Sequence, residues 1–314
     1  MLPHIDDFLR DLQANHYSMN TVYNYERYLA VFSRFLNDSS VPFDKINKQT
    51  ITSYKAYLAS LGRNTAKQGN HSDKQLAPCT INYKLVALRV YLRYLIDIDY
   101  PCPLAPEAVK NLKAVPRQPQ VPELKDLIRL IEAPAPEANT IELRDKAILE
   151  TLFNTGLRVS ELVSLDRDQV DLERKQLGFK GKGKKIRVIF LSDRVAQWVG
   201  RYLQSRRDHF EPLFIRHSGK VDARTGGEKM RLTVRSIQRI VIKYAKRCGL
   251  SIKATPHTLR HCFATYLAEE GASPVPLLVL FGHESLDTTT RYVHASDKYA
   301  EETHHKYHPL AKPD

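Results

Sequence analysis

The chain has 314 residues, 42% of them hydrophobic, which is enough for two domains with sizeable cores. Forty-eight Lys and Arg against 35 Asp and Glu leave a formal charge of +13, a surplus that favours a polyanionic partner through counterion release. With no apolar run of about 18 residues, no leader-like start, and four cysteines (Cys79, Cys102, Cys248, Cys262) at no zinc-like spacing, the pattern excludes a membrane span and a disulfide scaffold. A cytoplasmic protein with reduced thiols is expected.

The first hundred residues read as helices separated by short breaks, without strand alternation. One helix is expected over about Asn20 to Leu36, rich in Tyr and carrying Arg27 and Arg34, and a second over about Gln49 to Leu61. Gly62 to Ala77 is polar and contains Gly69-Asn70-His71-Ser72-Asp73, the composition of an exposed loop. From Pro78 to Ile98, Ile81, Leu85, Leu88, Leu92, Leu95 and Ile96 recur at helical spacing, while Lys84, Arg89 and Arg93 lie off that stripe.

A proline-dense span follows, Tyr100-Pro101-Cys102-Pro103-Leu104-Ala105-Pro106 and then Val115 to Pro122, suited to an extended connection between domains. Beyond it, helices are expected at about Glu123 to Glu132 and Ile141 to Asn154. Leu177 to Leu191 places β-branched and aromatic residues on either side of Gly181-Lys182-Gly183-Lys184-Lys185, a hairpin signal. Helices resume over about Asp193 to Asp208, Thr233 to Cys248, and from Pro256 onward.

Thr255-Pro256-His257-Thr258-Leu259-Arg260-His261 begins with a capping hydroxyl and a first-turn proline. On a wheel of ~100° per residue, Leu259, Cys262, Phe263, Tyr266 and Leu267 form an apolar face. His257 and His261 point away from it and Arg260 sits at its flank, so His257 and Arg260 can address one ligand. The bland alternative is a solvated helix face. A zinc helix would also use His at i and i+4, but Thr258 stands where such motifs carry Glu and no acidic cluster follows, so no metal is expected. Downstream lie Gly282-His283 and Tyr292. Upstream lie Arg158, in Thr155-Gly156-Leu157-Arg158-Val159-Ser160-Glu161-Leu162, and Lys182. Guanidiniums, imidazoles, an amine and a phenol form a set suited to gripping and attacking a phosphodiester.

These motifs resemble the tyrosine recombinase (phage integrase) family, most closely its Xer-like members, and the resemblance covers nearly the whole chain. It implies a mainly α chain with a small β-sheet or hairpin, organised as a two-domain DNA clamp. A helical, SAM-like core-binding domain would span 1–100, a Pro-rich linker 101–122, the catalytic domain 123–295, and a tail, 296–314, would dock on a neighbouring subunit. Matched residue by residue, the family signature falls on Arg158, Lys182, His257, Arg260, His283 and Tyr292, with Glu161 as the accompanying acid. Phe281 departs from the usual Leu, a change expected to alter packing and leave the chemistry alone.

The residue types suit that chemistry. Two forked guanidiniums, aided by His257 and His283, would meet the charge that develops on the non-bridging oxygens; losing one such donor costs on the order of 3 to 4 kcal/mol. Tyr292 would store the bond energy as a phosphotyrosine, so no ATP or other cofactor is expected, and surrounding positive charge would help a phenol whose pKa is ordinarily near ~10. Lys182 is assigned as general acid because the motif places it there; by spacing alone, Lys184 and Lys185 remain open. Glu161 would orient a cationic group, or else form a local ion pair of little consequence. Tyr299 and Tyr307 are the decoys among sixteen tyrosines, and His304, His305 and His308 read as solvated tail residues.

Lys84, Arg89 and Arg93 are candidate phosphate contacts, as are Arg235 and Arg239; a solvated charged face is the alternative for each. The implied partner is a double-stranded recombination site bound by a homo-tetramer or by a hetero-tetramer with a second recombinase, with room for an accessory activator and none for a membrane. Strand exchange through a Holliday junction would serve chromosome or plasmid dimer resolution or mobile-element integration. Two rivals are a type IB topoisomerase and a sequence-specific DNA-binding protein with a vestigial site.

Overall fold

The computed structural model describes residues 2–64, 71–113, 122–135, 137, 139–180, 186–221, 225–250 and 254–282, with the side chains of 62–64, 71–74, 179–180 and 186–187 left aside. The chain divides into two compact units, Met1–Gln118 and Pro119–Asp314. Most described residues are helical, and the strands are few and short.

The first unit contains α1 (Ile5–Ala14), α2 (Met19–Asp38), α3 (Lys48–Ser60) and α4 (Pro78–Asp97). Helix starts follow local chemistry: Ser18 Oγ accepts the Thr21 N–H at 3.1 Å, and Asn47 Oδ1 accepts that of Thr50 at 3.0 Å. Phe8, Leu12, Leu29, Phe32, Tyr54, Leu58, Leu85, Leu88, Tyr91 and Leu95 pack into one core rich in aromatic rings. Along α4 the expected stripe is largely buried, except that Ile96 is exposed and Tyr91 takes a core position instead. The Tyr91 hydroxyl lets the ring go inside because it donates to the Pro3 carbonyl at 2.5 Å.

Two features of this unit differ from the sequence reading. Gly62 to Ala77 was expected to be an exposed loop, yet β1 (Gly62–Asn64) and β2 (His71–Gln75) pair antiparallel there. Backbone pairing needs no apolar alternation, so a polar hairpin leaves no periodic trace. Residues 101–113, read as linker, lie on α4: Val109 is fully buried, and Asn82 exchanges two hydrogen bonds with Leu112, at 3.1 and 2.8 Å.

The second unit is arranged around α6 (Thr140–Thr155), which packs against α5 (Leu124–Glu132), α8 (Asp193–Ser205), α9 (Val234–Arg247) and α10 (Pro256–Glu269). Leu143, Ala147, Ile148, Leu149 and Leu152 of α6 lie in its core. Unusually for a helix, α6 also buries charges. Arg144 donates to the Ile215 carbonyl at 3.0 Å, Asp145 accepts from the Tyr244 hydroxyl of α9 at 3.0 Å, Lys146 donates to the Ile131 carbonyl of α5 at 2.8 Å, and Glu150 accepts from Arg194 Nε of α8 at 2.7 Å. Each of these charges ties α6 to a different neighbour.

A three-stranded antiparallel sheet, in the order β3 (Val170–Asp171), β4 (Gln176–Lys180), β5 (Ile186–Phe190), completes this unit with the short helices α7 (Val159–Val163) and α11 (Pro274–Phe281). The expected hairpin is β4–β5, paired from Gln176 opposite Phe190 to Lys180 opposite Ile186. Among the described residues, no helix is long and apolar enough to cross a membrane. All four cysteines are free thiols, and burial pushes that of Cys262 up to about 12.

Candidate active site

The site is built where α6 ends. Thr155 turns its hydroxyl back to the Thr151 carbonyl at 2.6 Å, and Gly156 takes a left-handed conformation (φ 59°, ψ 22°) that a side chain would oppose. Leu157, 1% exposed, anchors the turn in the core, and Arg158 emerges from it at the start of α7. Glu161, one turn on, accepts the Arg158 backbone N–H at 2.7 Å and its guanidinium at 2.9 Å. The acid therefore fixes both ends of the arginine.

Thr255 caps α10, accepting the Thr258 N–H at 3.1 Å, with Pro256 in the first turn. His257 is exposed in that same turn, where the positive helix end favours an anion. Arg260 corrects the wheel reading: it lies inside, only 4% exposed, and not at the flank of the apolar face. Two backbone carbonyls make this possible, since its guanidinium donates to Gly156 O and, at 2.8 Å, to Phe281 O. Burying a charge needs such partners. The wheel could not show them because both come from other elements.

Arg158 donates its other branch to Gly282 O at 3.1 Å. The two arginines thus grip successive carbonyls, Phe281 and Gly282, where α11 ends in a left-handed Gly282 (φ 57°). The next residue is His283. Arg158, Glu161 and Arg260, remote in sequence, are brought together around this turn, with His257 one helical turn before Arg260. Lys182 falls in 181–185, and His283 and Tyr292 fall in 283–314; all three lie outside the described residues, as does the tail from 296. His261 is held below its ordinary pKa, first by burial and then by His257. Among the described residues, no group of three or more His, Cys, Asp or Glu is placed to hold a metal ion.

The candidate DNA contacts separate into two sets. Arg89 donates twice to the Val109 carbonyl and, at 2.6 Å, to Asn111, and Arg93 pairs with Glu107 at 2.8 Å. Both therefore link α4 to residues 107–111, Arg93 while remaining exposed. Lys84 stands over the Tyr28 ring at 4.8 Å, while Arg27 lies over Tyr23 at 5.5 Å. Burial, and then the Arg27 charge, hold the Lys84 ammonium below its usual range. Among the described residues neither pairs with a carboxylate, and Tyr23 and Tyr83 are exposed nearby in sequence. Arg27 thus joins Lys84 as a candidate contact, and the Tyr-rich composition of α2 is the sequence signal for it. Arg235 and Arg239 are both exposed on α9 and make no ion pair among the described residues.

A helical two-unit chain in which two arginines remote in sequence meet at one turn fits the architecture expected of a DNA strand transferase. The phage integrase family model matches residues 122–299 and the phage integrase SAM-like domain matches residues 1–100, so this chain belongs to the phage integrase family and is a Xer-like tyrosine recombinase. It is 36% identical over 245 residues to tyrosine recombinase XerC of Thermodesulfovibrio yellowstonii, covering 75% of this chain and 77% of that one. It is 32% identical to XerD of Lacticaseibacillus casei, covering 83% and 90%. Its fold is similar to those of XerH recombinase bound to palindromic difH substrate (18% identical, TM-score 0.67, 96% and 83% covered) and of the Tn1549 transposon integrase with transposon right-end DNA (19% identical, TM-score 0.65, 95% and 98% covered).

Proposed function

We propose that this protein is a site-specific recombinase that breaks and rejoins duplex DNA through Tyr292. The observation that carries this reading is the convergence of Arg158 and Arg260 on the successive carbonyls of Phe281 and Gly282, directly before His283. Two guanidiniums at one turn supply forked donors for the non-bridging oxygens of one phosphate. The Tyr292 oxygen, its proton released to solvent, attacks phosphorus, the bond to the 5′-oxygen breaks, and Lys182 delivers a proton to that leaving group. A 3′-phosphotyrosyl link and a 5′-hydroxyl result, and attack by the 5′-hydroxyl of a partner strand reverses the step and leads to a Holliday junction. His257 and His283 donate to the phosphate as charge develops.

Incubation with a nicked suicide substrate is expected to trap a covalent adduct in the wild type and none in Tyr292→Phe. Adduct persisting in that variant would remove Tyr292 from the role. Two-site recombination, compared with simple relaxation of supercoils, separates this activity from a topoisomerase. Four subunits, alike or of two kinds, would bring two sites together, with segment 296–314 docking on a neighbour.

The first unit reads as the non-catalytic arm on DNA, with Arg27 joining Lys84 as the favoured contacts because Arg89 and Arg93 already have partners within the unit. Two cations held close together on aromatic platforms repel each other, and a phosphate between them relieves that repulsion. Removing Arg27 or Lys84 should lower the slope of log affinity against log salt by about 0.9 each, and removing Arg93 should not. Equal slopes for all three variants would sink this assignment.

A further inference from the structure

Phe281 stands where the family signature has Leu, and its surroundings give that difference a use. The ring is 1% exposed at the end of α11. Its face lies 5.1 Å from Arg260 Cζ, while its own carbonyl accepts the same guanidinium. The ring also presses on the Gly156 turn so closely that a Cβ at 156 would come 2.3 Å from Cε1 and 2.9 Å from Cδ1. Phe263 of α10 closes the third side at 5.5 Å between ring centroids. Gly156 O and Phe281 O, the two carbonyls that hold Arg260, therefore belong to the two residues that this ring joins.

We infer that Phe281 is a positioning residue for strand cleavage: its ring face, wedged against Gly156, sets the height and direction of the Arg260 guanidinium. A branched aliphatic side chain has no π face to hold a cation and would leave room over Gly156. An arginine off its productive position by even a fraction of an ångström stabilises the transition state less, because its hydrogen bonds must match the developing charge. DNA binding, spread over many phosphates, is affected far less. The inference rests on the proposed role of Arg260 at the scissile phosphate.

The test measures single-turnover adduct formation at saturating suicide substrate, with the dissociation constant and the thermal midpoint measured in parallel. Two proteins are compared with wild type: Phe281→Leu, and a protein carrying pentafluorophenylalanine at 281, which keeps the ring outline and inverts its quadrupole. Phe281→Leu should cleave about ten-fold more slowly, equivalent to about 1.4 kcal/mol, with affinity within about two-fold of wild type, and the fluorinated protein should also cleave more slowly. A Leu variant cleaving at the wild-type rate, a loss that appears wholly in affinity, or a fluorinated protein at full rate would each overturn the inference. Failure of the wild type itself to form adduct would instead sink the underlying reading of the site.

Discussion

The two units keep themselves together in different ways. The unit before residue 119 buries rings and aliphatic chains, and its ion pairs, such as Arg93 with Glu107, stand in solvent. In the second unit, Arg144, Asp145, Lys146, Glu150, Arg206 and Arg260 are all buried, whereas among the described residues the only buried polar side chain of the first unit in that class is Thr50. Apolar packing is tolerant of small shifts, while a buried charge is satisfied only where its partners stand. The difference teaches that the part of the chain that must hold arginines at fixed angles is the part that uses directional contacts inside.

The sharpest way to break this comparison is Asp145→Ala. It removes the counter-ion of Arg144, whose side chain is 8% exposed, and the acceptor of the Tyr244 hydroxyl. A loss of about 3–5 kcal/mol is expected from urea titration, because an uncompensated buried charge remains. A loss under about 1 kcal/mol would show that the network is not what aligns the helices.

Acidification should come next in effect. Burial raises the pKa of Glu132, but Lys146 and Arg194 more than offset it, and burial of Asp208 is likewise outweighed by Arg206, so both stay below their usual values. A depressed folded pKa stabilises above the unfolded value, and that contribution disappears as pH falls through the folded one. The second unit should therefore loosen before the first on titration below about pH 4.5, as followed by hydrogen exchange in each unit and by fluorescence of Trp198, the chain's only tryptophan. Simultaneous loss of protection in both units would contradict the contrast.

The smallest effect is expected in the first core, where the Tyr54 hydroxyl is buried without a hydrogen-bond partner among the described residues. Tyr54→Phe should leave stability unchanged or raise it by about 1 kcal/mol, since an unsatisfied hydroxyl only costs desolvation. Destabilisation in the same titration would mean that the hydroxyl has a use in this core.

Much of this was legible without coordinates. Helix positions follow from apolar spacing and, for α10, from the Thr255 cap, which are local properties. The pairing of Arg158 with Glu161 was readable too, because three residues separate them. The β1–β2 hairpin was not, since polar strands carry no periodic mark. Nor could spacing show that Arg89 and Arg93 meet residues 107–111, which fold back along α4 to give Arg89 the Val109 carbonyl and Arg93 an exposed ion pair with Glu107.

By itself, then, the sequence determined which residue types were available and how each helix begins and which face it buries, because these depend on neighbours within a turn or two of chain. Only the tertiary structure decided that Arg260 goes inside, held by carbonyls 104 and 21 residues away, and that Phe281 lies against Gly156. A buried cation and a packed ring are fixed by partners that distant segments bring, and spacing along the chain does not encode which partners those are.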